Sequence, residues 1–273
     1  MKSLHDSKTA LGQTSVFEPI EAGQLIVRLA EGVRELELAQ RLRFRIFCNE
    51  LGAKANADVM AQKRDFDEFD AVCDHMLVID REKTGDEAVV GTYRLLTGKN
   101  SKKIGRFYSQ SEFDITPLLE FDGEIMELGR SCVNEEYRSR ATMQLLWRGI
   151  GAYVSAFDVK ILFGCASLYG TDVEAHRESL AYLYHYHLAP PALRVRALAE
   201  QYVEMNTMPK ESFDAKKILM TLPPLVKGYL RLGSFVGDGA VVDYAYNTTD
   251  VGIVVNTDMI TDKYAQRYQP DAD

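Results

Sequence analysis

Glu127 and Arg130 stand three residues apart in the run Met126-Glu127-Leu128-Gly129-Arg130-Ser131-Cys132-Val133. In a regular strand that spacing sends the two side chains to opposite faces. A bulge at Gly129 would bring both onto one face and turn a backbone N–H outward. The glutamate could then take a proton from an incoming ammonium, the amide could hydrogen-bond a thioester carbonyl as charge develops, and the arginine could hold a carboxylate. The plainer alternative is a pair of buried ions bonded to neighbouring strands.

Three more runs carry charge among apolar or aromatic neighbours. They are Leu42-Arg43-Phe44-Arg45-Ile46-Phe47, Arg64-Asp65-Phe66-Asp67-Glu68-Phe69-Asp70 and Val90-Gly91-Thr92-Tyr93-Arg94-Leu95-Leu96. Such mixtures belong at the edge of a core rather than on a solvated face. If residues 64–70 form a helical turn, the phenylalanines anchor one side while Asp67 and Asp70 share another and can hold an ammonium. The EF-hand pattern is absent, because it needs glycine at its sixth position and a later glutamate. Tyr137-Arg138-Ser139-Arg140-Ala141-Thr142 offers a helix start where N–H groups could meet a phosphate, without the glycines of a specific phosphate loop.

Other candidates have plainer readings. Cys132 has no histidine near it in sequence and reads as a small buried hydrophobe. His75 beside Asp74 reads as a hydrogen-bonding residue, and His185 and His187 read as partners of a helix end.

The elements that must position these groups follow from periodicity. Residues 24–29 read as a strand and 35–51 as a helix, followed by the non-periodic acid cluster. Residues 75–81, 88–96 and 125–133 then read as strands. A helix over 139–157 and a strand over 161–168 complete a parallel crossover. A helix from Asp172 to about His187 comes next, then a helix between Pro223 and Gly233, and strands over 240–246 and 251–255. In the 223–233 helix Leu225, Tyr229 and Leu232 share a face, which suits a core or an anionic surface.

The 273 residues, 46% hydrophobic, suffice for one large domain over 21–273, with a flexible segment at 1–20. A net charge of −8 disfavours a general nucleic-acid binder. Cys48, Cys73, Cys132 and Cys165 are too scattered for a zinc ribbon or a disulfide framework. No apolar stretch long enough to span a bilayer is present, and no secretory h-region follows Met1-Lys2-Ser3, so a cytoplasmic protein is expected.

The ordered pieces LRFRIF, DFDEFD, VGTYRLL and MELGRSCV resemble the acyl-homoserine-lactone synthases, a branch of the GNAT acyltransferases, from about residue 41 to 157. The segments DFDEFDAVCDH, HLAPPALRVRAL and LPPLVKGYLRLGSFVGDGAVVDYAYNTTDV extend the likeness to nearly the whole chain beyond residue 20. There the chain more closely resembles the bacterial L-ornithine N-acyltransferases of ornithine-lipid synthesis. That resemblance implies an α/β (α+β) GNAT-like fold, with a central mixed, mostly antiparallel sheet flanked by helices and a C-terminal extension over about 172–273. It implies transfer of a 3-hydroxyacyl group from acyl carrier protein to the α-amine of L-ornithine, giving lyso-ornithine lipid.

By the same resemblance Glu127 is the base, Arg43, Asp67, Asp70, Arg94 and Arg130 bind substrate, and Arg138, Ser139, Arg140 and Ala141 occupy the phosphopantetheine region. No metal or other cofactor is expected. Contact with an anionic membrane would be peripheral, at the inner face. Two rivals stay open: a lactone synthase or other N-acyl amino acid synthase, and a non-catalytic acyl-carrier or lipid-binding protein.

Overall fold

A computed structural model describes residues 17–260. The expected flexible segment lies, through residue 16, outside the described residues, as do the last thirteen of the expected extension. The strands are β1 (Ile20–Ala22), β2 (Leu25–Leu29), β3 (Asp74–Asp80), β4 (Val89–Thr97), β5 (Phe113–Asp114), β6 (Glu124–Val133), β7 (Val159–Tyr169), β8 (Arg196–Ala197), β9 (Phe235–Asp243) and β10 (Thr248–Asn256). The helices are α1 (Gly32–Phe44), α2 (Ala57–Gln62), α3 (Gly98–Ser101), α4 (Thr116–Leu119), α5 (Arg140–Phe157), α6 (Arg177–His187), α7 (Ala215–Thr221) and α8 (Pro224–Arg231).

The strands form one sheet in the order β1-β2-β3-β4-β6-β7-β10-β9-β8-β5. Only β6 with β7 and β8 with β9 run parallel. This is the expected mixed, mostly antiparallel sheet flanked by helices, and α5 is the crossover between the parallel pair β6 and β7. Ser139 starts α5 by accepting from the Thr142 amide at 3.2 Å, which satisfies an N–H that the helix itself cannot. Asp158, left-handed at φ 50°, ends it. Leu146, Ile150 and Tyr153 recur on its buried face, and each aliphatic side chain there contributes about 1.5–3 kcal/mol by leaving water. Gly149 lets α5 approach closely: a Cβ there would come within 2.7 Å of Met76 Sδ.

On the opposite face of the sheet lies α1, with Ala39 and Leu42 packed on Leu77 and Val89. The periodicity that predicts one helix over 35–51 resolves into α1 and a wider π-helical stretch, Arg45–Glu50. Such stretches re-aim side chains, and here Ile46 and Phe47 turn toward a cavity.

The expected C-terminal extension is built into the sheet. β10 pairs with β7 along nine residues, from Thr248↔Tyr169 to Asn256↔Ile161, and β9 covers β10. Without β10, β7 would present an open apolar edge. Because α8 packs Tyr229 edge-on against Trp147 at 5.1 Å, its apolar face belongs largely to the core.

One irregularity positions everything that follows. The parallel β6–β7 ladder stops at Glu127↔Phe163, although β6 runs on to Val133 and β7 to Tyr169. Gly164 is the last point of close approach: a Cβ there would sit 2.3 Å from Leu128 O, so only glycine lets the two strands lie this near before they part. Beyond that point the sheet is split.

Candidate active site

A cavity of about 350 Å³ occupies the split. Tyr93 and Arg94, adjacent on β4 and therefore facing opposite sides of the sheet, both line it, so it passes through the sheet. Its lining combines the apolar side chains of Ile46, Phe47, Leu51, Val133, Leu225 and Val226 with the charged residues Arg94, Glu127, Arg130, Asp243 and Asp250.

The bulge expected in β6 is present. Thr92 faces Cys132 and Arg94 faces Gly129, so β6 carries one residue more than β4 across the interval. The left-handed residue is Arg130, at φ 51°, rather than Gly129. A non-glycine residue there is uncommon, and the contacts of the Arg130 side chain hold it. Its guanidinium lies between the rings of Tyr108 (4.7 Å) and Tyr246 (4.5 Å), faces Asp65 at 3.4 Å and donates to Asp67 at 3.2 Å. Glu127 and Arg130 thus reach the same side.

Glu127 is 5% exposed. Its Oε1 accepts from the Ser109 amide at 2.7 Å and from the Ser109 hydroxyl, and its Oε2 accepts from the Tyr108 amide at 2.8 Å. Burial lifts its carboxyl above the usual range, and these three hydrogen bonds limit the rise. Oε2 carries a single hydrogen bond, so it has acceptor capacity left toward the cavity.

The acid run and the arginines do converge, as a network that neutralises itself. Arg43, wholly buried, donates to Asp65 at 2.7 Å and to both oxygens of Asp70 at 3.0 and 2.8 Å. Arg94 donates to Asp67 at 2.6 Å and to Asp70 at 3.1 Å. Gln40 and Tyr246 complete the set through Asp70 and Asp65, both at 2.9 Å. Burial alone would raise Asp65 and Asp70. Arg130 and Arg43 outweigh it at Asp65, as Arg43 and Arg94 do at Asp70, holding both carboxyls below the usual range. Asp67 and Asp70 therefore take guanidinium where an ammonium was expected, and Arg43 lies beneath the cavity. Of the predicted binding residues, Arg94 and Arg130 line it.

The helical turn expected over 64–70 forms only at its end, because Asp67 is extended and acts as the cap. Residues 68–71 form a 3-10 turn capped by Asp67, with Phe69 buried. Of the predicted carrier-binding residues, Arg138 lines the cavity, donating to Val133 O at 3.0 Å and to Glu50. Ser139, Arg140 and Ala141 are exposed outside the lining, and the Ser139 hydroxyl is engaged in the cap.

His75 is a buried structural partner of Asp70 O at 3.0 Å. His185 meets Met208 O at 2.8 Å and His187 meets the Tyr182 hydroxyl at 3.2 Å, neither serving the end of α6. All four cysteines are free thiols, and burial pushes Cys132 up to about 12.

Several residues of the site escape the sequence reading. Tyr108 and Ser109 supply the donors to Glu127, Tyr246 stacks on Arg130, and Gly164 lets β7 lie against Leu128 where the split begins. Glu112, Asp243 and Asp250 bring three carboxylates within 4.8 Å of one another. The one clear sequence signal among them is Asp250, a charge inside an otherwise β-prone run, Thr248-Thr249-Asp250-Val251-Gly252-Ile253.

Residues 42–148 match the family model described as "Acetyltransferase (GNAT) domain". The solved structure of FeeM, an N-acyl amino acid synthase from uncultured soil microbes, superposes with a TM-score of 0.50 at 8% identity, covering 86% of this chain and 93% of that one, which is a likeness of fold. The L-ornithine N(alpha)-acyltransferase of Agrobacterium fabrum (strain C58) is 44% identical over 98% of this chain and 92% of its own length. That of Rhizobium meliloti (strain 1021) is 45% identical over 91% of this chain and 85% of its own. The chain is an acyltransferase with a GNAT domain and belongs to the L-ornithine N(alpha)-acyltransferase family.

Proposed function

We propose that the protein transfers an acyl group, in the expected case 3-hydroxylated, from acyl carrier protein to the α-amine of L-ornithine, giving a stable N-acyl amino acid. The observation that carries this reading is one cavity, crossing the sheet at the β6–β7 split, whose lining combines apolar side chains with charged residues that include Glu127. The apolar side chains suit an acyl chain. The stretch of β6 that has left β7 keeps main-chain groups without a strand partner on that side, suited to an extended amide-bearing arm such as phosphopantetheine. The likeness to L-ornithine N(alpha)-acyltransferases supports ornithine as the acceptor.

In the reaction Glu127 accepts a proton from the bound α-ammonium. The freed nitrogen attacks the thioester carbon, and the C–S bond breaks as the N–C bond forms. The proton count balances when the thiolate leaves as a thiol. Residues 129–131 form the bulge that follows Glu127 along β6, and an N–H there would stabilise the developing oxyanion. Arg130, held by two tyrosine rings, supplies positive potential for the acceptor's carboxylate. The network of three arginines and three aspartates fixes β4, β6 and the 68–71 turn in register, so its predicted residues act chiefly by positioning.

Glu127→Gln tests the assignment. The expected loss in kcat is on the order of 10²–10⁴-fold, typical of a removed general base. The acid limb of kcat/KM, expected above the usual carboxylate range because burial raises Glu127, should disappear with it. Turnover near wild type in a folded variant would remove Glu127 from the chemistry.

A further inference from the structure

We propose that Glu112, Asp243 and Asp250 form a receptor for the side-chain ammonium of a diamino acid acceptor, and so select diamino over monoamino acids; this rests on the amine-acylation reading above. Glu112 and Asp250 are 7% and 5% exposed, yet Glu112 Oε2 and Asp250 Oδ1 find no hydrogen-bond partner among the described residues. On the strand side, Ser167 and Thr248 lie close enough to Asp250 to lower its carboxyl, which leaves the cavity side open. Buried carboxylate oxygens without donors are costly, and their persistence beside a cavity points to a donor that arrives with the ligand. An ammonium offers three N–H donors, matching three carboxylates within 4.8 Å of one another.

The position fits the reaction. Asp243 and Asp250 line the same cavity as Glu127. The turn at Tyr108–Ser111 joins the two places: the Ser109 hydroxyl and amide donate to Glu127, and Ser109 O accepts from the Glu112 amide at 3.0 Å. Cys165 Sγ lies 3.6 Å from Ser109 Oγ on the other side. Asp243 anchors the cluster from the β9–β10 turn, where its Oδ1 accepts from the Ala245 and Tyr246 amides at 2.7 and 3.0 Å. Charge agrees as well. The arginines of the site are matched by Asp65, Asp67 and Asp70, so the carboxyls of Glu127 and the triad are left without an ion-pair partner among the described residues. An acceptor with two ammoniums and one carboxylate brings the opposite sign. Consistently, burial first and then the Asp250 charge push Glu112 upward against the Cys165 thiol and Arg130, and burial pushes Asp250 upward against Ser167, Thr248 and Arg130.

The test compares ornithine with norvaline, the same skeleton without the second amine, as acceptors of purified protein supplied with loaded acyl carrier protein. Wild type should prefer ornithine in kcat/KM by on the order of 10²-fold or more, because norvaline leaves the carboxylates unpaired. Glu112→Gln and Asp250→Asn, each shown to melt cooperatively, should reduce that preference by at least about tenfold, chiefly through KM. Wild type acylating norvaline as readily as ornithine overturns the proposal without any variant, as does an unchanged preference in folded variants. If wild type acylates neither, calorimetric titration with ornithine separates the two ideas. Binding weakened in both variants sustains the receptor and rejects the reaction, whereas absent or unaltered binding rejects the receptor. Displacement of ornithine by stoichiometric Ca²⁺ or Mg²⁺ would make the triad a metal site instead.

Discussion

Two acidic groups lie at one cavity, one containing its counter-charges and the other not. Asp65, Asp67 and Asp70 are bound by Arg43, Arg94 and Arg130 through hydrogen bonds, with Arg43 gripping both oxygens of Asp70. Glu112, Asp243 and Asp250 are as enclosed but have no arginine or lysine within ion-pair distance among the described residues. Asp65 and Asp70 in the first group are depressed and Glu112 and Asp250 in the second are raised, for the same physical reason read with opposite sign: burial penalises charge unless cations close by outweigh it. The difference separates scaffold from receptor. A closed network holds strands together, whereas an open one waits for a ligand.

The contrast can be broken most severely at Arg43. Arg43→Met would strand Asp65 and Asp70 without their principal cation, and the expected destabilisation is about 3–5 kcal/mol, read as a large drop in melting temperature. A variant melting within a degree or two of wild type would show that the network contributes little.

A pH series sharpens the comparison next. Asp65 and Asp70, depressed when folded, give stability that is present above the usual aspartate range and lost as pH falls through it. Glu112 and Asp250, raised when folded, do the reverse: stability is fullest where both states are protonated and declines as pH rises from the usual carboxylate range toward the raised values. Glu112→Gln should flatten that second slope and stabilise the ligand-free protein near neutrality by about 1 kcal/mol or more, while leaving the acid-side loss in place. Equal slopes in wild type and variant would place Glu112 in water rather than in an unanswered cluster.

The smallest effect is expected at Tyr246→Phe, which removes the hydroxyl donor to Asp65 but keeps a ring over Arg130. Denaturant unfolding should register about 1 kcal/mol. A much larger loss would mean that the hydroxyl, not the ring, holds Arg130 in its left-handed conformation.

Much of this was legible in the chain. Runs of apolar residues at strand and helix spacing gave the order of elements and the crossover through α5, and charge beside phenylalanine at residues 64–70 marked the closed network. The bulge was foreseeable from Glu127 and Arg130 standing three apart, although glycine at 129 drew attention away from the residue that takes the positive φ. The open cluster was hidden because its members come from a turn, a strand end and a strand interior, brought together only when β10 pairs with β7. The expectation that Asp67 and Asp70 receive an ammonium assigned the right chemistry to carboxylates whose oxygens were already taken. Local sequence shows which residues carry charge but not which charges tertiary pairing will cancel.

The divergence of β6 from β7 has a last consequence. Each prong of this fork is braced on its outer side, β6 by β4 as far as Gly91↔Val133 and β7 by β10 as far as Tyr169↔Thr248. Rigid prongs do not need a guest to spread them. The same ladders that build the sheet on either side therefore hold the aperture open, so its outline is drawn by strand pairing.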